Sequence, residues 1–167
     1  MKLTKHLFVL LLCFSLFALF CTAVYAADGE TNLYADIYVE DKELEEVVVD
    51  DEIYLEIYIS DMTASGIKAG FYFDNTKLEI IDMTFEPVVF LNTKTGKYNK
   101  KASPLSETDI DLANEKGSAL GVYTIPNGVD TPCQEGLLIT VVFVAIDEGD
   151  ATITLREEKL QAQMSYR

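Results

Sequence analysis

The stretch FDNTKLEIIDM, residues 73–83, breaks an apolar run with four polar residues and then returns at once to apolar ones. Asp, Asn and Thr side chains satisfy nearby backbone groups and therefore favour turns, and residues 74–77 supply all three types in a row. After this break, Leu78, Ile80 and Ile81 resume the apolar character of a strand that enters a core. The stretch therefore predicts two strands joined by a tight polar corner.

Segments with strand character lie on both sides of this corner. In EIYLEIYIS (52–60), aliphatic residues alternate with tyrosine and glutamate, which predicts a strand with one buried and one exposed face. Further β-branched or aromatic segments are LYADIYV (33–39), EVVV (46–49), IKAGFYF (67–73), LEIIDM (78–83), PVVFL (87–91), ALGVYTI (119–125), GLLITVVFVAI (136–146) and ATITL (151–155). Residues 106–117 suggest one short helical turn. About nine short strands without alternating amphipathic helices predict an all-β fold, an antiparallel β-sandwich.

The N-terminus has the three parts of a secretory signal peptide. Lys2 and Lys5 precede an apolar run over residues 7–20, and Val24 and Ala26 are the small residues of a cleavage site. We expect residues 1–26 to be removed, which leaves a single domain over residues 27–167 and places the protein outside the cell. The apolar run is short for a membrane span, and no other segment of the sequence is a candidate.

Composition narrows the classes of function. The chain has 13 basic and 28 acidic residues and a formal net charge of −15, so its surface should repel nucleic acid and anionic membranes. His6, Cys13 and Cys21 lie in the predicted signal peptide, which leaves Cys133 as the one thiol of the secreted chain. An internal disulfide, imidazole catalysis and Cys/His zinc sites are therefore not expected there. A lone sandwich also offers little cleft for catalysis by paired carboxylates, so we predict no enzyme.

Two longer stretches resemble the signatures of the cohesin domain family. ISDMTASGIKAGFYFDNTKLEIIDM (59–83) is similar to the core pattern, in which Gly-Ile opens an aromatic strand that leads into aromatic-Asp-x-Thr-x-Leu-Glu. GLLITVVFVAIDEGDATITL (136–155) resembles the later pattern of x-Phe-x-Ala followed by an Ile-x-Leu strand. Together with VVVDDEIYLEIYIS (47–60), these stretches cover most of the predicted domain in the expected order. The resemblance implies a jelly-roll sandwich of about nine strands, with residues 74–77 as the corner.

The resemblance also implies a function. Cohesins are non-catalytic modules that bind the dockerin of a glycoside hydrolase or a scaffoldin and hold it in an extracellular assembly such as a cellulosome. By motif, the partner-binding positions on an exposed sheet face would be Lys68, Tyr72, Tyr123, Ile125 and Thr131. The resemblance implies no catalytic residue, no metal and no other cofactor.

The chain departs from the cohesin pattern in two places. The strand over residues 67–73 is shorter than cohesins usually show, and the chain ends at Arg167 where a final strand is expected. Either the tail itself forms that strand, or the chain is a fragment. The sequence alone therefore does not determine which segment forms the edge of the sheet near the C-terminus.

Other classes of function stay open on the residues themselves. Tyr54 and Tyr58 share one face of a predicted strand and could stack on a polysaccharide, as in a carbohydrate-binding module, although the chain has no Trp. A structural adhesin-type sandwich is a further alternative.

Two clusters of charged residues have both a structural and a functional interpretation. Lys94, Lys97, Lys100 and Lys101 form either a solvated hairpin tip or a positive patch that steers an acidic partner. Asp109 and Asp111 have the first spacing of a calcium loop but lack the third acid and the glycine that such a loop needs.

Overall fold

The structure, a computed structural model, describes residues 33–40, 44, 47–124 and 130–160, and for residues 157–160 it describes the backbone alone. The predicted signal peptide and Ile125 lie outside the described residues. Among the described residues, no helix has both the length and the apolar character to cross a membrane.

Twelve strands and one short helix form the described part of the chain. In chain order they are β1 (Leu33–Tyr38), β2 (Glu52–Ile59), β3 (Met62–Ala64), β4 (Gly66–Phe73), β5 (Leu78–Phe85), β6 (Val88–Asn92), β7 (Lys97–Ala102), β8 (Ser106–Glu107), α1 (Ile110–Lys116), β9 (Ser118–Thr124), β10 (Thr131–Cys133), β11 (Gly136–Ala145) and β12 (Ile153–Leu160). All strand pairings among them are antiparallel. The predicted all-β antiparallel sandwich is confirmed.

The strands form three sheets around one core. Sheet I has the strand order β1-β2-β11-β5, sheet II has β12-β4-β9-β8, and sheet III has β3-β10-β6-β7. Phe71 and Phe73 of sheet II contact Phe143 of sheet I, with ring centroids 5.9 and 5.2 Å apart. These aromatic side chains are buried, and each fully buried large apolar side chain stabilises the fold by roughly 1.5–3 kcal/mol. Sheets I and II therefore pack face to face.

The polar corner predicted at residues 74–77 is present between β4 and β5. The Asp74 carboxylate accepts hydrogen bonds from the Thr76 backbone N–H at 3.0 Å and from the Thr76 hydroxyl at 2.7 Å. These bonds favour the ionised carboxylate and lower the pKa of Asp74. The Asp74 carbonyl oxygen accepts from the backbone N–H of Lys77 and of Leu78, which closes the turn.

The segment EVVV (46–49) was predicted as a strand, and this prediction is wrong for the residues that the structure describes. Residues 47–51 form an irregular connection and a turn ahead of β2. The Asp51 carboxylate accepts a hydrogen bond from the Val48 N–H at 2.7 Å, and Asp50 adopts a positive φ of 75°. The two adjacent aspartates favour this turn because their short side chains bond to nearby backbone, and this local preference overrides the β-propensity of the valines.

Helix α1 covers the edge of sheet I. The Asn114 side chain accepts a hydrogen bond from the Ile80 N–H at 2.8 Å and donates one to the Ile80 carbonyl at 2.9 Å. It thereby bonds to edge strand β5 in place of a neighbouring strand. Because an uncovered sheet edge is a template for pairing with other chains, this contact also protects the sheet.

Candidate partner-binding face

The outer face of sheet II is set by alternation along β4 and β9. On β4, Ile67, Ala69, Phe71 and Phe73 are buried in the core, so Lys68, Gly70 and Tyr72 belong to the outer face. Residues directly opposite each other in an antiparallel pair share a face, and the register joins Lys68 to Val122, Gly70 to Leu120 and Tyr72 to Ser118. The same rows continue into β12, where Arg156 pairs with Gly70 and Thr154 with Tyr72.

Apolar and aromatic side chains occupy the middle of this outer face. Tyr72 is 47% exposed, and Leu120 and Val122 are half-buried. Leu105, 73% exposed, lies beside them because its N–H donates to the Val122 carbonyl at 2.6 Å. Polar and charged residues surround this group, namely Lys68, Ser106, Ser118, Thr124, Thr154 and Arg156. The arrangement is an apolar centre with a polar rim, as in specific protein interfaces.

Arg156 and Tyr72 form a cation–π pair across two strands of this face. The guanidinium carbon lies 5.6 Å from the centroid of the Tyr72 ring. Such contacts stabilise exposed pairs by about 0.5–1 kcal/mol and hold both side chains in defined positions. The pair therefore places a positive charge, on Arg156, directly beside the aromatic ring of Tyr72 on this face.

Gly70 allows a close approach of β9 to β4 in the middle of sheet II. A Cβ atom at this position would lie 2.1 Å from the Ala119 carbonyl oxygen, so only glycine fits here. Gly70 is buried, and the β9 backbone fills the space that a side chain would occupy.

Tyr123 was predicted to be an exposed anchor, and the structure corrects this prediction. Its side chain is 0% exposed, and its hydroxyl donates to the Leu138 carbonyl at 3.3 Å. Burial is the main cause that raises the pKa of this phenol. Tyr123 shares the inner face with Ala119 and Gly121, and a Cβ atom at Gly121 would lie only 3.2 Å from the Tyr123 ring.

The other predicted site residues have different outcomes. Thr131 is only 8% exposed and lies in β10 of sheet III, where it pairs with Ala64, so it is not part of the outer face of sheet II. Ile125 lies outside the described residues. Lys68 and Tyr72 are brought together on the outer face, and their role in binding stays a prediction.

Leu105, Leu120, Val122 and Arg156 were not predicted as members of the face. In ALGVYTI (119–125), every second residue points to the same face of the strand, and both sets of alternating residues mix aliphatic with small or polar side chains. The alternation therefore did not show which set on β9 is exposed. The strand pairing supplies the missing information, because Val122 lies opposite Lys68.

A second surface feature, the tyrosine face, lies on the outer side of sheet I. The sequences YADIY (34–38) and YLEIY (54–58) share a Tyr-x-acid-Ile-Tyr pattern, and antiparallel pairing aligns them. Tyr34 stacks on Tyr58 with ring centroids 5.2 Å apart, and Tyr38 stacks on Tyr54 at 5.3 Å, both with an interplanar angle of 9°. Only Tyr54 and Tyr58 were singled out from the sequence. The repeated pattern is the signal that would have identified the other two tyrosines.

The tyrosine hydroxyls donate to carboxylates around the same face. Tyr34 donates to Glu135 at 2.5 Å, Tyr54 to Glu52 at 2.7 Å, and both Tyr38 and Tyr58 to Glu56. The hydrogen bond to a carboxylate is the main cause that raises the pKa of Tyr54 and of Tyr58 to about 12. An ionised phenol would lose this bond and face a negative charge.

This geometry argues against a sugar platform formed by Tyr54 and Tyr58. A platform presents the flat faces of aromatic rings to the ligand. Parallel rings at this separation are stacked with an offset, so each tyrosine covers part of one face of its neighbour and is not free to present that face to a sugar. Stacking between tyrosines explains the ring positions without a glycan.

The four clustered lysines lie in or next to the hairpin of β6 and β7, which we call the lysine hairpin (88–102). Lys94 lies in its turn, and Lys97, Lys100 and Lys101 are exposed on β7. Strand β7 is the edge of sheet III, where lysine side chains discourage pairing with other chains. The solvated hairpin tip predicted from the sequence is thus one role for this cluster.

Metal binding and thiol chemistry have little support among the described residues. No group of three or more His, Cys, Asp or Glu side chains in the described ranges could hold a metal ion. Asp109, a candidate for calcium, instead caps α1, because its carboxylate accepts from the Leu112 N–H at 2.8 Å. Cys133 is buried, and burial raises the pKa of its thiol to about 12, which makes it unreactive at neutral pH.

Comparison with known proteins bears on the fold. No family model and no curated protein matches the sequence. Among solved structures, the C-terminal domain of the AgI/II polypeptide BspA from Streptococcus agalactiae matches with a TM-score of 0.50 and 14% identity. The match covers 77% of this chain and 47% of that one, so this chain spans about half of the BspA domain.

Two cohesin modules match less closely. The seventh ScaB type I cohesin from Pseudobacteroides cellulosolvens has a TM-score of 0.41 and 14% identity, and the match covers 68% of each chain. The second type II cohesin module of the adaptor scaffoldin ScaA from Acetivibrio cellulolyticus has a TM-score of 0.39 and 16% identity, covering 77% of this chain and 73% of that one. At these identities the likeness concerns the fold alone, and the BspA match agrees with an all-β sandwich.

Proposed function

We propose that the protein is a secreted, non-catalytic binding module that presents the outer face of sheet II to a protein partner. The observation that carries this proposal is the ordered centre of the face, where Tyr72, Leu120 and Val122 lie within a polar and charged rim. Half-exposed apolar side chains on a rigid sheet form an interface with little loss of conformational freedom on binding.

The proposed partner is the dockerin module of a polysaccharide-degrading enzyme or of a scaffoldin. Support comes from the resemblance of residues 59–83 and 136–155 to cohesin signatures, since these segments include β4 of the proposed face. Lys68 and Tyr72, two of the positions that the motif assigns to partner binding, lie on this face. The proposal includes secretion, which rests on the signal-peptide pattern of residues 1–26.

Calorimetric titration of the protein with a panel of dockerins tests the proposed function. We expect one or more dockerins to bind with 1:1 stoichiometry, and soluble plant polysaccharides to cause no retardation in affinity electrophoresis. Absence of binding to every dockerin would contradict the proposal. Glycan retardation that is lost in Tyr54→Ala would instead support the carbohydrate-binding alternative.

A further inference from the structure

The charges of this chain are separated into distinct segments. Residues 43–67 and 117–155 contain no Lys or Arg, although they supply most of sheet I. Residues 87–106 contain no Asp or Glu and hold the four lysines of the lysine hairpin. The molecule therefore has one strongly acidic surface and one basic projection.

The tyrosine face is the acidic surface. Asp36 and Glu56 lie directly opposite each other in the β1–β2 pairing, between the two stacked tyrosine pairs. Like charges directly opposite each other destabilise a sheet. The four strands of sheet I contain no Lys or Arg that could compensate them. A cation bound from outside the chain would relieve this repulsion.

The lysine hairpin is the basic projection. All the residues of β7 except Ala102 are exposed, and Tyr98 on the same strand is 45% exposed. Among the described residues, the ammonium groups of Lys94, Lys97, Lys100 and Lys101 form no ion pair. These groups are therefore available to carboxylates on another molecule.

We propose that the protein associates with itself head to tail, with the lysine hairpin of one copy docked on the tyrosine face of the next. Lysine ammonium groups of the hairpin would contact the carboxylates of Asp36 and Glu56 through charge-assisted hydrogen bonds. The two surfaces are different parts of the chain, so the contact is heterologous and can extend into longer assemblies. It uses sheets I and III and does not depend on the proposed function of sheet II.

The overall negative charge of each copy sets the conditions for this contact. At physiological ionic strength the Debye length is about 8 Å, so repulsion between distant charges is largely screened while the contacting pairs are not. Association should be present near this ionic strength and should weaken strongly at about 1 M salt, where screening reaches about 3 Å.

Sedimentation of two variants, one with a neutralised hairpin and one with a charge-reversed face, tests the proposal. The hairpin variant carries Lys100→Gln and Lys101→Gln, and the face variant carries Asp36→Lys and Glu56→Lys. We expect the unmodified protein to form oligomers as its concentration rises towards about 1 mM, and each variant alone to remain monomeric. A mixture of the two retains one intact hairpin and one intact face, and should form a 1:1 dimer that does not grow further.

Control variants separate docking from general charge and from misfolding. Lys116→Glu changes an exposed lysine on α1 outside the hairpin and should leave association unchanged. The milder pair Asp36→Asn with Glu56→Gln keeps the side-chain shapes and should still weaken association at least tenfold, with an unchanged circular dichroism spectrum. An unmodified protein that stays monomeric, a mixture that does not pair, or an equal effect of Lys116→Glu would overturn the proposal. Binding of a lysine-rich peptide without self-association would also overturn it in favour of a foreign basic partner.

Discussion

Tyr123 places an aromatic ring in the core and a hydroxyl at the Leu138 carbonyl, so its two parts stabilise the fold in different ways. Replacement by Ala should reduce the free energy of unfolding by about 3–5 kcal/mol, because the ring leaves a cavity. Replacement by Phe removes only the hydrogen bond and should cost about 1 kcal/mol. Denaturant unfolding of both variants measures these losses. A Tyr123→Ala protein within about 0.5 kcal/mol of the unmodified one would show that the ring is not buried.

A second effect of a single residue is the influence of Glu52 on the ionisation of Tyr54. The hydrogen bond between them holds the pKa of Tyr54 at about 12, so Glu52→Gln should lower that pKa towards the ordinary value of about 10. Because the folded-state pKa is the higher one, this contact stabilises the fold fully below pH 10, and the contribution is lost as pH rises through 12. Phenolate absorbance during alkaline titration provides the measurement. Glu79→Gln, on edge strand β5, is the control, and identical titration curves for both variants would refute the assignment.

Asn114 acts at the scale of the elements, because its side chain joins α1 to the backbone of β5. Asn114→Ala leaves the Ile80 N–H and carbonyl without this partner and should reduce the free energy of unfolding by about 1–3 kcal/mol. Faster hydrogen exchange at the Ile80 amide should accompany the loss. Glu115→Ala changes the exposed neighbouring side chain and should stay within about 0.5 kcal/mol of the unmodified protein. If Asn114→Ala behaves like this control, the amide does not hold the edge.

The elements also show how far the sequence alone predicts the structure. Strong alternation identified strand β2, because a strand with one buried face leaves a direct pattern. The Asp-Asn-Thr sequence identified the turn between β4 and β5, because these side chains bond to the nearby backbone. Strand β7 was missed because its exposed, lysine-rich residues have no apolar alternation. The outward residues of β9 were misassigned, because which set of alternating residues is buried depends on the pairing with β4, a contact distant in sequence.

At the scale of the whole molecule, the outer faces of sheet I and sheet II form two different surfaces whose composition the sequence alone did not predict. Sheet II presents Lys68, Tyr72 and Val122 on its outer side, whereas sheet I presents stacked tyrosines and carboxylates. The fold class followed from local patterns, but the composition of each surface follows from the register of strands far apart in the chain. Of the five predicted partner-binding residues, Lys68 and Tyr72 lie on the proposed face, Tyr123 and Thr131 do not for this reason, and Ile125 lies outside the described residues.

The most direct test of the central claim is a calorimetric titration of two variants, Val122→Glu and Val142→Glu, with a dockerin that binds the unmodified protein. Both valines are half-buried, Val122 on the outer face of sheet II and Val142 opposite Tyr54 on the outer face of sheet I. We predict that Val122→Glu weakens binding at least tenfold, about 1.4 kcal/mol, because a carboxylate enters the apolar centre of the interface. Val142→Glu should leave the affinity within about twofold, with both variants folded by circular dichroism. Equal weakening by both variants, or weakening by Val142→Glu alone, would contradict the assignment of the partner-binding face to sheet II.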